Sequence, residues 1–121
     1  MPHAPDDTSV LFQTEHGTVL RCACCNRIEV VFGNIALAEE PPLFARFHRL
    51  VAGLDLDALC ADHPDVSHPV VLSADGDKLA FRFTCDEARA LRELLDGAAA
   101  MLELEGLLQE TLHPDAPASD A

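Results

Sequence analysis

Three cysteines fall within four residues at Cys22-Ala23-Cys24-Cys25, between two strand-like runs, and no other stretch gathers reactive side chains so closely. Cys22 and Cys25 have the Cys-x2-Cys spacing of a zinc knuckle, where a tight turn lets two thiolates converge on one borderline-soft ion. Downstream, Cys60-Ala61-Asp62-His63 repeats the same spacing with a thiol and an imidazole. Cys22, Cys25, Cys60 and His63 together make a three-cysteine, one-histidine set, a recurrent way to close a tetrahedral zinc site. Asn26, directly after the second cysteine, tolerates the left-handed backbone that such a turn favours. Two other readings stand beside zinc: reduced thiols buried as small hydrophobes, and a redox pair or thiol sensor drawn from Cys22, Cys24 and Cys25. On the zinc reading Cys24 is a bystander or an alternate ligand.

The remaining candidates carry weaker signals. Cys85 opens a capped helix, where the positive end of the dipole lowers a thiol pKa, but Asp86 and Glu87 crowd the same turn with negative charge. It reads as a structural residue, or as a second thiol of the redox alternative. His68 is a reserve ligand should His63 fail, and His48 and His16 read as surface histidines. Asp55, Asp57, Asp62 and Asp65 lack the spacing and the glycine of an EF-hand loop, so they read as solvated charge. The chain has no glycine-rich phosphate loop, no G-x-S-x-G elbow and no H-E-x-x-H pair, which leaves an enzymatic role undecided and a noncatalytic one favoured.

Charge narrows the partners. The formal net charge is −13, from 21 acidic residues against 8 basic ones. Nucleic acid is excluded on this balance, because phosphate binding needs clustered cations and the arginines are scattered among acids. A basic protein partner fits the acidity, but a solvated surface is the plainer reading of it. No run approaches the roughly 18 apolar residues that span a bilayer, and Met1 to Asp7 lacks the basic and apolar regions of a secretory leader. The expectation is a cytoplasmic protein with reduced thiols, since five cysteines are an odd number for a disulfide framework.

The elements that would position these residues follow from periodicity. Val10–Thr14 and Thr18–Ala23 read as strands joined at Glu15-His16-Gly17, the second running into the cysteines. Ile28, Val30 and Phe32 alternate in a third strand, Gly33-Asn34 breaks it as a tight turn or a bulge, and Ile35–Leu37 continues extended. Pro41 and Pro42 suit a helix start, with Leu43, Phe44, Phe47, Leu50, Val51 and Leu54 at helical spacing and Gly53 at the end. Asp55–Cys60 adds a short helical turn, and residues 61–68 form a loop. A hairpin signal at Ala74-Asp75-Gly76-Asp77 then separates two strands, and Thr84-Cys85-Asp86-Glu87 is a capping box before a long apolar-faced helix that should fray or bend near Gly106.

Laid over one another at an offset of 44 residues, the halves coincide at Ile35 and Leu79, Phe47 and Leu91, and Gly53 and Gly97. The fold class expected is α+β: a mostly antiparallel sheet with two helices on one face, built from two strand-strand-helix repeats. One domain over residues 9–112 sits between a flexible arm (1–8) and a flexible tail (113–121). The second helix outruns the first, and its surplus over residues 98–112 packs on the first half or offers a homodimer face.

The run from Cys-x2-Cys through Val-Val-Phe-Gly-Asn-Ile-Ala-Leu to Leu-Ala-Phe-Arg-Phe-Thr-Cys-Asp-Glu resembles a family of short bacterial proteins known only as a domain of unknown function. The resemblance covers about residues 14 to 102, and the doubled Cys24-Cys25 and the long acidic second helix depart from it. It implies a small cytoplasmic α+β protein with an N-terminal cysteine pair, and it transfers no catalytic residue. The reading that results is a noncatalytic binding or regulatory module, stapled by zinc at Cys22, Cys25, Cys60 and His63, that presents an acidic surface to a protein partner. The alternative is a thiol-based redox enzyme or sensor.

Overall fold

A computed structural model describes residues 8–74 and 76–112. The described residues begin with an antiparallel meander of four strands, β1 (Thr8–Thr14), β2 (Gly17–Cys22), β3 (Arg27–Phe32) and β4 (Ile35–Glu39), paired in chain order. Thr8 is therefore the first residue of a strand and not part of an arm; residues 1–7 and 113–121, assigned to the arm and tail, lie outside the described residues. Gly33-Asn34 is a tight turn, with Gly33 at φ 60° and Phe32 opposite Ile35. A bulge between Val10 and Phe12 lets both Leu11 and Phe12 reach the core.

Register decides what each face carries, because directly opposed residues project to the same side. Val19 lies opposite Val30, Arg21 opposite Ile28 and Gly17 opposite Phe32, which sets these residues on the core face. Leu20 lies opposite Glu29 and Cys22 opposite Arg27, which sets them on the other face. Cys22 is accordingly buried without belonging to the hydrophobic core cluster.

Helix α1 (Pro41–Ala52) begins on its two prolines and buries Phe44 and Val51. Helix α2 (Leu56–Asp62) is capped by Asp55, whose carboxylate accepts from the Ala58 amide at 3.1 Å. A hairpin of β5 (Val70–Ala74) and β6 (Leu79–Phe83) follows, and α3 (Cys85–Leu112) closes the fold. The capping box at the head of α3 is reciprocal: the Glu87 amide donates to Thr84 Oγ1 at 3.1 Å, and the Thr84 amide donates to Glu87 Oε1 at 2.8 Å. Leu94 and Leu95 of α3 are fully buried against the core face of the meander. Helix α3 runs on through Gly106 without the break expected there.

The class is α+β, with two antiparallel sheets among the described residues, one of four strands and one of two. The matching glycines of the two halves have different work. Gly53 ends α1, its amide donating to Arg49 O at 3.0 Å, whereas Gly97 sits within α3 where a Cβ would collide with the ring of Phe12. Across the helices, His48 of α1 meets Asp96 of α3 at 2.7 Å, and Arg89 of α3 meets Asp57 of α2 at 3.1 Å. Arg21 of β2 pairs with Glu105, which ties the far part of α3 to the meander.

Candidate metal centre

The cysteine knuckle is the loop of the β2–β3 hairpin. Cys22 ends β2, Arg27 begins β3, and the four residues between them are closed by the Asn26 amide donating to the Cys22 carbonyl at 2.8 Å. Asn26 stands at φ 55°, the left-handed conformation in which asparagine is the best substitute for glycine. The tight closure folds the loop's side chains back over the end of β2. The sulfurs of Cys22, Cys24 and Cys25 all lie within 4.8 Å of one another, with Cys22 and Cys24 at 3.2 Å.

Burial pushes the Cys22 thiol up, but hydrogen bonds from Cys25 and Cys24, through side chains and then backbone amides, outweigh it and hold Cys22 below the ordinary thiol value. Hydrogen bonds that favour the ionised form make it easier for a metal ion to displace the thiol proton. Zinc bound to thiolates at about 2.3 Å in a tetrahedron needs sulfurs about 3.8 Å apart. Small side-chain rotations would bring the present cluster to that spacing. Beside it lies a cleft of about 190 Å³ on the face away from the core, lined in part by Cys22, Cys25, Arg27 and Glu29. Arg27 there offers a positive charge to offset a site with three thiolates and one divalent ion.

The four residues predicted from spacing are not gathered together. Cys22 and Cys25 belong to the cluster, but Cys60 is bonded to Cys85, with the two Cα atoms 6.1 Å apart. Cys60 therefore has no thiolate to offer in this state, and His63, at the end of α2, is outside the cluster. Cys24, read from the sequence as a bystander or an alternate ligand, is the third member of the cluster. The hairpin register could have indicated this: a four-residue loop that returns Arg27 opposite Cys22 leaves little room for Cys24 to be elsewhere. The disulfide also corrects the expectation of five reduced thiols, and it agrees with the reading of Cys85 as a structural residue and not with its use as a second thiol in the redox alternative. It joins α2 to the first residue of α3, a proximity created by packing and not by spacing.

Several of the other acidic and imidazole candidates have structural partners. Asp55 caps α2, Asp57 pairs with Arg89, His48 pairs with Asp96, and His68 shares a 2.8 Å hydrogen bond with Ser67. Among the described residues no polar or charged residue is buried.

The model of the family of unknown function DUF6686 matches residues 5–110, which takes in the knuckle, both sheets and most of α3. The chain belongs to the DUF6686 family. The match extends beyond the span of residues 14 to 102 over which the sequence resembled a family of unknown function. No curated protein and no solved structure matches the chain. No helix among the described residues of this DUF6686 protein is long and apolar enough to cross a membrane.

Proposed function

We propose that the β2–β3 knuckle binds one soft metal ion, zinc first among them, through Cys22, Cys24 and Cys25, and that the protein is a noncatalytic, metal-dependent binding or regulatory module. The observation that supports this is the convergence of three sulfurs within 4.8 Å, one of them buried and held below the ordinary thiol value. Three protein ligands leave the fourth tetrahedral position to water or to a group from a partner. Such a site differs from a closed staple: it exchanges its ion more readily, and its occupancy can report on metal supply. The net charge of −13 supports a basic protein surface as the partner, because complementary charge raises encounter rates.

The test is elemental analysis of protein purified without a histidine tag, with thiols counted before and after chelation. About one metal ion per chain is expected, masking Cys22, Cys24 and Cys25 until it is removed. Cys22→Ser should abolish binding, whereas His63→Ala and the Cys60→Ser/Cys85→Ser pair should leave it intact. Three freely reacting thiols and no metal after incubation with zinc would end this reading.

One contact favours a second reading. Cys22 and Cys24 sulfurs 3.2 Å apart are placed for a dithiol–disulfide couple. Glutathione disulfide would oxidise the pair to a Cys22–Cys24 disulfide and leave two molecules of glutathione. Mass spectrometry across a glutathione series separates the readings, since bound metal protects the thiols and a sensor loses two hydrogens.

A further inference from the structure

The two sheets do not join, and the space between them is a cavity of about 690 Å³ bounded by the core face of β3 and β4, by α1 and by the β5–β6 hairpin. Its walls are mainly apolar, including Phe32, Leu37, Phe47, Leu72 and Phe81. The size lies within the range of small-molecule sites, roughly 300–1,000 Å³. Ile35, Leu37 and Glu39 of β4 point to this space and are only half-buried, where a filled core would have covered them. Leu43 and Leu50 of α1 line it as well and stay 42% and 52% exposed.

Two cations also line this apolar space. Arg46 and Arg49 stand three residues apart on α1, and neither forms an ion pair with an acid among the described residues. In a chain of net charge −13 with only 8 basic residues, this is a local reversal of sign beside an apolar chamber. Glu39 shares the lining and, with the overall acidity, penalises a doubly charged head. A singly charged carboxylate on an alkyl chain meets both requirements: planar oxygens for the guanidinium forks and methylenes for the walls.

We propose that this cavity binds a medium- to long-chain fatty carboxylate, with the alkyl chain between the sheets and the carboxylate at Arg46 and Arg49. The site is separate from the cysteine knuckle, which lies on the opposite face of the meander, so either proposal can fail without the other.

The experiment is calorimetric titration of the full chain with octanoate, decanoate and dodecanoate below their micelle concentrations, and with decanol. Each added methylene should tighten binding about fourfold, the equivalent of about 0.8 kcal/mol per buried CH₂. Arg46→Gln/Arg49→Gln should weaken decanoate about tenfold, as two exposed charge contacts would, and leave decanol unchanged. Both arginines are exposed, so the variant should fold, and Cys22→Ser should bind decanoate like the parent chain. Absence of binding, or a decanoate affinity unmoved by the arginine substitutions, overturns the proposal. So does a dimer, seen by sedimentation, that persists at saturating dodecanoate and is broken by Leu43→Glu, which would assign the groove to a second copy of the chain.

Discussion

Cys22 ends β2 as a buried residue, and that placement sets what Cys24 and Cys25 can do. A buried thiol alone would resist ionisation, but two neighbours donating to it reverse the balance. The thiolate of Cys22 should therefore appear at lower pH than that of a free cysteine. Ultraviolet absorbance of the apoprotein during a pH titration should show thiolate forming below the range of a free cysteine, and Cys22→Ser should remove that part of the rise. The identity of these residues and the turn at Asn26 were both legible in the sequence. The membership of the site was not, because Cys-x2-Cys spacing is satisfied by Cys22 and Cys25 whether or not Cys24 joins them. The sulfur separations, set by the loop closure at the Cys22 carbonyl, show that it does.

Among the elements, strands, turns and helix ends agree most closely with local patterning. Ile28, Val30 and Phe32 alternate inward, and Thr84 and Glu87 cap α3 reciprocally, because each depends on residues at most four apart. Thr84→Ala should cost about 1 kcal/mol, read from denaturant unfolding. Gly97 follows a different logic. An alanine there gains about 1 kcal/mol of helix propensity, yet its Cβ would strike the Phe12 ring, and displacing a packed aromatic typically costs about 1–3 kcal/mol. Gly97→Ala should therefore destabilise the protein, and in a Phe12→Ala background the same change should stabilise it, a sign reversal that a double-mutant cycle would detect. Nothing local distinguishes Gly97 from a helix-ending glycine such as Gly53, so the repeat inferred from their alignment treated two unlike residues as equivalent.

The whole molecule is held by long-range ties that compete with its own charge. The Cys60–Cys85 bond closes a span of 25 residues, and by loop entropy its reduction should remove about 3.5 kcal/mol, visible as a lowered unfolding midpoint in dithiothreitol and in the Cys60→Ser/Cys85→Ser variant. A net charge of −13 opposes compaction, and ions screen that repulsion over a distance of about 8 Å at physiological strength. Raising sodium chloride from about 10 to 150 mM should therefore increase the melting temperature, although it weakens surface pairs such as Arg89–Asp57, which contribute about 0–1 kcal/mol each. A melting temperature that falls with salt would mean that ion pairs outweigh the general repulsion.

The sequence by itself determined the α+β class, the strand and helix boundaries to within a few residues, the capped start of α3 and the residue types of the knuckle. These depend on alternation, helical spacing and turn chemistry, all of which act over a few residues. Tertiary structure alone decided that Cys60 meets Cys85 in place of Cys22 and Cys25, and that the strands among the described residues divide into two sheets with a cavity between them. Those outcomes depend on how α2 and α3 pack and on which strand edges stay unpaired, and residue spacing carries no information about either.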